Sequence, residues 1–251
     1  MKNQFLLSVI CIALSMFYLP SSVQAQAFVN AESGAVFTGY NNVRIPGDVG
    51  TLFSLKTDLS PQSSAFLRLR AGYTINSKHT ISALYAPLTI KSSGSLSFPI
   101  NYERNTFAAN TPLDATYTFN SYRLTYRYRF VQKPKFEFGL GFTAKIRDAE
   151  IAIASADKRV SKTNIGFVPI INFRLNWKVN EKIGLLFEGD ALAVPQGRAE
   201  DVLLAGTYKF SDKLTARLGY RLLEGGAGND EVYNFTLFHY ASIGLTYTFK
   251  K

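Results

Sequence analysis

The sequence predicts an all-β protein, folded as a single antiparallel transmembrane β-barrel of about ten strands. Three observations support this prediction: an N-terminal export signal, long segments in which apolar and polar residues alternate, and short polar turns that alternate with longer loops. Eight or twelve strands would also satisfy the pattern, because a barrel with both termini in the periplasm has an even number of strands.

The N-terminal segment has the composition of a cleaved signal peptide. Lys2 supplies a positive charge, an apolar run extends from Phe5 to Leu19, and small residues lead up to Ala25. We expect cleavage after Ala25, so that residues 1–25 are removed and residues 26–251 form one barrel domain. The single cysteine, Cys11, lies in the apolar run. The mature chain is therefore expected to form no disulfide and no thiolate metal site.

The segment SYRLTYRYRF, residues 121–130, shows the alternation most clearly. Its even positions, from Tyr122 to Phe130, are aromatic or aliphatic, and its odd positions, from Arg123 to Arg129, are arginine or threonine. Successive side chains of a strand point to opposite faces, so this strand would have one apolar and one cationic face. A membrane barrel turns the apolar face to lipid, whereas a soluble sandwich would bury it.

Short polar turns and long connections alternate along the chain. The short turns are NSKH, QKPK, NEK and SDK, and we expect them to face the periplasm. The longer connections, expected outside the cell, are residues 42–64, 91–114, 151–162, 194–201 and 224–231. The strands between them are predicted at residues 33–42, 65–76, 79–90, 115–131, 136–150, 163–179, 182–193, 201–210, 213–224 and 232–249.

Several strands end in aromatic residues beside the short turns. This position favours a membrane barrel over a soluble protein with an apolar core. Tyr128, Trp177, Tyr208 and Tyr247 would form an aromatic girdle at the periplasmic interface. The long strands alternate in the same way, and the last one, ASIGLTYTF, ends on Phe249.

With its signal peptide, alternating strands and terminal aromatic residue, the chain resembles the small outer-membrane β-barrel proteins of Gram-negative bacteria. The resemblance implies location in the outer membrane, contact with outer-membrane lipid and lipopolysaccharide, and insertion by the barrel-assembly machinery, which reads a C-terminal aromatic residue. Here Lys250 and Lys251 follow Phe249, a departure from that pattern. The class contains structural barrels, narrow channels, adhesins and enzymes, so the resemblance predicts architecture rather than activity.

The polar face of the strands carries most of the candidate functional residues. The basic residues at lumen positions are Arg68, Arg70, Arg123, Arg127, Arg129, Lys145, Arg147, Arg174, Arg217 and Arg221. The acidic residues at lumen positions are Glu137, Glu188 and Asp190. This ladder predicts either an anion-selecting path or an ion-pair network that fills the lumen. The filled interior is favoured, because buried charges need partners and a barrel this narrow can be filled by its side chains.

The expected function is accordingly that of a structural barrel or a narrow channel for small solutes or anions, without enzymatic activity or a cofactor. The formal charge is +10, but the basic residues alternate along strands instead of forming an exposed patch, which argues against a nucleic-acid partner. A surface-binding or adhesin barrel that uses loops 42–64 and 91–114 is an alternative. The sequence leaves the oligomeric state open.

The last predicted loop contains a possible cation site. Residues 225–233, GGAGNDEVY, fit one copy of a calcium-binding nonapeptide pattern, with Asp230 and Glu231 as possible ligands. Such sites form between stacked copies, so a single copy favours a tight glycine-rich turn, and no metal is predicted.

Two enzymatic alternatives would place a site at the extracellular rim. An omptin-like protease needs a histidine there, but His79 lies at a periplasmic turn and His239 has the parity of the lipid face. A lipid A deacylase-like enzyme needs a histidine and a serine on one face, but His239 and Ser242 have opposite parity.

Overall fold

The computed structural model describes residues 25–195 and 197–249. The predicted signal segment up to residue 24, with Cys11, and the two terminal lysines lie outside the described residues. The strands are β1 (Ala25–Arg44), β2 (Phe53–Ser54), β3 (Ser60–Pro61), β4 (Ser64–Ile75), β5 (His79–Ala86), β6 (Thr89–Gly94), β7 (Ile100–Tyr102), β8 (Asn105–Phe107), β9 (Leu113–Gln132), β10 (Phe136–Ala154), β11 (Arg159–Lys178), β12 (Ile183–Val194), β13 (Gly197–Lys209), β14 (Leu214–Gly228) and β15 (Tyr233–Phe249). Within these ranges, no helix is long and apolar enough to cross a membrane.

Ten strand positions form one closed antiparallel barrel, as predicted. Around the wall, β1 pairs with β4, β4 with β5, and β5 and β6 both pair with β9, so these two short strands share one position. Each strand from β9 to β14 then pairs with the next barrel strand, and β15 returns to β1. The closing pair runs from Ala27 opposite Phe249 to Arg44 opposite Tyr233. Closure leaves the barrel without a free edge on which another chain could add a strand.

The structure corrects the predicted extracellular loops. Three of the five long connections, at 151–162, 194–201 and 224–231, are largely strand, because β10, β11, β13 and β14 continue through them. Only the first two connections are long, and they contain β2, β3, β7 and β8. The first strand also begins earlier than predicted, at Ala25 instead of residue 33.

The outer face of the barrel carries an apolar belt beside the short turns, at what we call the periplasmic end. Large exposed side chains on this belt include Leu69, Leu124, Phe142, Ile171, Leu204, Leu218 and Ile243. Aromatic pairs line its lower border: Tyr128 with Phe130, Tyr208 with Phe210, and Tyr247 with Phe249, each with ring centroids 4.9 Å apart. A continuous belt of this kind is stable in lipid and costly in water.

Both faces of the barrel exchange polarity toward the opposite, extracellular end. On β14, the outward position changes from Leu222 to Glu224, and the inward position changes from Arg221 to Leu223. On β10, outward Ile146 is followed by Asp148, and the inward side ends in buried Ile151. The strands therefore leave the membrane and continue as a water-exposed barrel with an apolar interior.

We call this interior the extracellular core. Its buried members are Val36, Val43, Ile45, Phe53, Leu55, Leu59, Phe66, Leu88, Ile90, Leu96, Ile100, Tyr102, Phe107, Leu113, Ala115, Tyr117, Ile151, Ile153, Leu223, Phe238 and Tyr240. The core combines strand ends with residues of the two long connections, so those connections are packed into the barrel mouth.

Residues 45–63 and 95–112, which we call the extracellular cap, are fastened to each other and to the strands. The amide of Thr51 donates to the carbonyl of Asn101 at 3.0 Å, and the amide of Glu103 donates to the carbonyl of Ile45 at 2.9 Å. The Tyr102 hydroxyl donates to the carbonyl of Ile151 at 2.7 Å. Burial, and next the neighbouring Glu103 carboxylate, raise the pKa of the Tyr102 phenol, which keeps it protonated as a donor.

Introducing the same positive charge on the apolar belt and in the cap tests whether the belt contacts lipid. Leu218 on the belt is 71% exposed, and Leu52 in the cap is 52% exposed. In lipid vesicles, Leu218→Arg should lower the free energy of unfolding by about 2–4 kcal/mol, because a cation near mid-membrane is poorly solvated. Leu52→Arg should change it by less than about 0.5 kcal/mol. Equal effects in urea-unfolding titrations would show that the outer face of β14 does not contact lipid.

Candidate functional site

Asp201 on β13 is the centre of a buried ion-pair cluster in the lumen. Its carboxylate lies 2.8 Å from Arg68 Nη2 and 2.6 Å from Arg123 Nη2, and it also accepts from Arg221. Arg68 and Arg123 come from β4 and β9, on the other side of the lumen. These contacts therefore span the barrel from wall to wall.

Glu32 on β1 is a second centre. It lies 2.7 Å from both Arg217 Nη2 and Arg221 Nε, and the hydroxyl of Ser242 donates to it at 2.8 Å. Because Arg221 also donates to Asp201, the two carboxylates share one guanidinium. The planar, five-donor guanidinium is suited to bridging two carboxylates.

Two acidic residues of β12 extend the cluster. Asp190 accepts from Arg123 Nη1 at 2.7 Å and from the Thr143 hydroxyl at 2.6 Å. Glu188 lies 2.8 Å from Arg174 Nη1 and 3.7 Å from Arg217 Nη1.

We call this cluster the lumen network: Glu32, Arg68, Arg123, Glu188, Asp190, Asp201, Arg217 and Arg221. It contains four carboxylates and four guanidinium groups from six strands, and no member is more than 9% exposed. Equal numbers of opposite charges, each within 4.0 Å of at least one opposite partner, make such burial tolerable. Between the network and the extracellular core there is a cavity of about 10 Å³, lined by Phe66, Arg68 and Arg123 among others, which is close to the space of one water molecule.

Glycines on the inner wall make room for the long basic side chains. A Cβ atom at Gly244 would lie 2.7 Å from Arg217 Nε, and one at Gly166 would lie 3.0 Å from Arg147 Nη2. A Cβ atom at Gly139 would lie 3.2 Å from Arg127 Cγ. Each arginine therefore lies flat across a glycine of a neighbouring strand, and alanine there would displace it.

No protein-family model matches the chain, and no curated protein matches it. Among solved structures, the outer membrane protease OmpT from Escherichia coli superposes with a TM-score of 0.53 at 10% identity, over 92% of this chain and 97% of that one. The transport unit of the autotransporter AIDA-I from Escherichia coli gives a TM-score of 0.46 at 8% identity, covering 96% and 97% of the two chains. Ail, the attachment invasion locus protein of Yersinia pestis, gives 0.42 at 10% identity, covering 89% and 99%.

The chain has the outer-membrane β-barrel fold. Closure, ten strand positions, the apolar belt and the aromatic border agree with this likeness, and together they place the barrel in the outer membrane. At 10% identity the likeness shows the fold alone, and it assigns no activity.

Four of the ten basic residues predicted for the lumen, Arg68, Arg123, Arg217 and Arg221, belong to the lumen network. Arg174 pairs with Glu188, and Arg129 lies 3.6 Å from predicted Glu137, which also pairs with Lys178 at 2.7 Å. The structure thus places Glu137, Glu188 and Asp190 on the inner wall, but Glu137 lies at the periplasmic mouth, apart from the other two.

The remaining four basic residues have no carboxylate partner within 4.0 Å in the part of the chain that is described. Lys145 Nζ lies 4.8 Å from the centre of the Phe119 ring. Arg147 donates to Asn164, Arg70 donates to the Ser82 hydroxyl at 3.2 Å, and Arg127 donates to Asn172 at 3.3 Å.

Sequence reasoning did not assign Glu32 and Asp201 to the lumen, although both are centres of the network. Glu32 preceded the predicted first strand, but it continues the polar parity of Asn30, which was the available signal. Asp201 stands where the predicted loop 194–201 meets the predicted strand 201–210, so its position gave no inward parity. The apolar inward positions Leu203 and Ala205 gave no sign that this parity faces a charged lumen.

The loop with Asp230 and Glu231 forms a tight turn. The side-chain oxygen of Asn229 accepts from the amides of Glu231 and Val232, and the carbonyl of Asp230 accepts from the amide of Gly47 at 2.8 Å. Within residues 25–195 and 197–249, no group of three or more His, Cys, Asp or Glu is placed to hold a metal ion. Cation binding by this loop stays a prediction.

Neither histidine faces the lumen of the barrel. His79 Nδ1 lies 2.8 Å from the Tyr126 hydroxyl at the periplasmic end, and His239 contacts the Tyr220 hydroxyl on the outer face. Ser242 faces inward to Glu32. His239 and Ser242 therefore lie on opposite faces of β15, as their parity predicts.

The central role of Asp201 has a measurable consequence. Asp201→Asn leaves four guanidinium groups with three carboxylates, and Arg68 keeps only a 3.8 Å contact with Glu32, so the substitution should lower the free energy of unfolding by about 3–5 kcal/mol. Glu137→Gln, a matched neutralisation at the partly exposed mouth, should cost less than about 1 kcal/mol.

A double variant distinguishes the loss of ion pairs from a change in side-chain shape as the cause of the destabilisation. Arg68→Met combined with Asp201→Asn removes one stranded cation, so its loss of unfolding free energy in urea titrations should be smaller than the sum of the two single losses. Strict additivity would mean that Asp201 does not act through its ion pairs.

Proposed function

We propose that the protein is a closed outer-membrane barrel that conducts no solute and anchors a rigid extracellular cap. The observation that carries this proposal is the arrangement in series of two barriers in one lumen: the charge-balanced lumen network and, above it, the extracellular core. A solute crossing the barrel would have to pass both.

The energy of opening supports a closed state. A path through the network requires separation of buried guanidinium–carboxylate contacts, and breaking one buried pair costs about 3–5 kcal/mol. Asp201 and Glu32 each hold more than one guanidinium, so several such contacts must open together. Thermal fluctuation at that cost leaves an open state only very rarely populated.

The anion path, which the basic ladder also suggests, is disfavoured by what lies above the network. Directly beyond Arg221 and Arg68, the inward positions are occupied by Leu223, Tyr240 and Phe66. An anion would leave its cationic partners for an apolar interior, which is strongly unfavourable.

Surface binding is a second candidate function, and the order of the cap favours it. The cap is held by main-chain hydrogen bonds and by the extracellular core, yet it exposes Val49, Leu52 and Phe98. A surface that is already ordered loses little conformational entropy on binding, so exposed apolar groups on it are well placed for recognition.

We infer no catalytic role. In the described part of the chain, both histidines lie on the outer face with tyrosine partners, and the inward serine of β15 is bonded to a carboxylate of the network. A histidine-dependent protease or esterase would need one of these groups at the extracellular rim. Contact with lipopolysaccharide and delivery by the barrel-assembly machinery are further inferences from the fold.

Conductance of the refolded protein in a planar lipid bilayer tests the closed state. We expect no discrete openings under conditions in which a porin, added as a positive control, inserts and conducts. Discrete anion-selective openings that diminish in Arg127→Gln and Arg217→Gln would overturn the proposal.

Attachment of protein-producing cells to immobilised matrix proteins and glycans tests the second candidate. Leu52→Asp combined with Phe98→Ser should abolish attachment, because both apolar contacts are lost, while the barrel stays folded. Val194→Asp is the matched control, since Val194 is exposed at the end of β12, outside the cap. Attachment equal to that of cells lacking the protein would exclude adhesion to that panel.

A further inference from the structure

Below the lumen network the barrel opens toward the periplasm. The network side chains are at most 12% exposed, whereas those of Arg129, Arg174 and Lys178 are 28%, 39% and 46% exposed. Inward Arg70 and Arg127, in between, are partly exposed. Because outward positions face lipid and the network closes the lumen above, this exposed surface must face water that enters from the periplasm. We call the space the periplasmic vestibule.

The vestibule has an excess of positive charge that its own carboxylate does not balance. It is lined by the cations Arg70, Arg127, Arg129, Arg174 and Lys178, and by the carboxylate Glu137. Glu188 of the network pairs with Arg174, but it belongs to a cluster that is already balanced. The excess therefore remains after every ion pair has been counted.

Arg70 and Arg127 carry most of this excess. Arg127 donates to the side-chain oxygen of Asn172 and Arg70 to the hydroxyl of Ser82, both neutral groups. Neither guanidinium has a carboxylate within 4.0 Å among the described residues. Arg174, Arg70 and Arg129 lie near enough to Arg127 to repel its charge, whereas Glu188 attracts it, and Glu188 and Asp190 attract the charge of Arg70.

An uncompensated cluster of this kind in a confined wall attracts anions. Low-dielectric walls lined with one sign of charge concentrate ions of the opposite sign. The planar guanidinium presents paired N–H groups that match the oxygens of phosphate, and two such groups can hold one phosphate from two sides. A monovalent halide lacks the oxygens that match these paired N–H groups, so it would bind less tightly than a phosphate.

We propose that the periplasmic vestibule is a dead-end binding site for a small phosphate-bearing anion, held by Arg70 and Arg127. The site takes its ligand from the periplasm and releases it there, because the network closes the far side. That the site is a dead end rests on the proposed closed state, whereas binding of an anion by Arg70 and Arg127 does not, so the titration and the conductance measurement can fail independently.

Calorimetric titration of the refolded barrel in zwitterionic micelles, at fixed ionic strength, tests the site. Pyrophosphate should bind saturably to one site, and Arg70→Gln and Arg127→Gln should each weaken its affinity at least tenfold. Both variants should fold, because neither guanidinium lies within 4.0 Å of a carboxylate among the described residues, so no ion pair is broken. Lys133→Gln, which removes the same charge from an exposed periplasmic turn, should leave the affinity within twofold of the unsubstituted protein.

Two outcomes would overturn the proposal. One is the absence of saturable binding to the unsubstituted protein. The other is equal weakening by Lys133→Gln and Arg127→Gln, which would show general attraction to a basic rim. Comparison of inorganic phosphate with glycerol phosphate, in the same titration, then distinguishes a free oxyanion from a phosphate ester as the natural ligand.

Discussion

Compensation of buried charge is the constraint on which the rest of this barrel depends. Glu32 and Asp201 are each only 2% exposed, and each is surrounded by guanidinium groups from other strands. Because Arg68 and Arg123 reach Asp201 from the opposite wall, the network fixes the cross-section of the barrel as well as its charge. The inward glycines follow from the same constraint, since the arginines need flat wall to lie on.

The exchange of polarity along the strands reflects two environments, because the strands pass from the hydrocarbon of the membrane into water. In the membrane, hydrocarbon accepts the apolar side chains and the polar ones turn inward; beyond it, water accepts the polar ones and the apolar ones form a core. Apart from bulges near Thr38–Tyr40 and opposite Phe138–Gly139, the alternation keeps its period, and what changes is the side on which each kind of residue lies. The cap is thereby packed on an interior like that of a soluble barrel, which explains how loops at a membrane surface are so well ordered.

This exchange also explains what the sequence could and could not predict. Strand parity and the polar turns predicted ten strands with the right inward residues within the membrane. Beyond it, the rule that apolar residues face outward no longer holds: Ile151 and Ile153 face inward, and their segment is one of the three strand extensions that the sequence predicted as loops. Parity named most of the lumen residues, but the pairing of Arg68 with Asp201, 133 positions apart, depends on barrel geometry.

The outward carboxylates above the apolar belt constrain the order in which the molecule can be built. Asp148, Glu150, Glu200 and Glu224 lie on the exterior of the extracellular end, and they must pass the hydrocarbon to reach it. If the cap folded first in the periplasm, its packed apolar interior and charged exterior would have to cross the membrane as one folded unit. The hairpins must instead be threaded outward before their core condenses, so the membrane-spanning part precedes the cap in biogenesis.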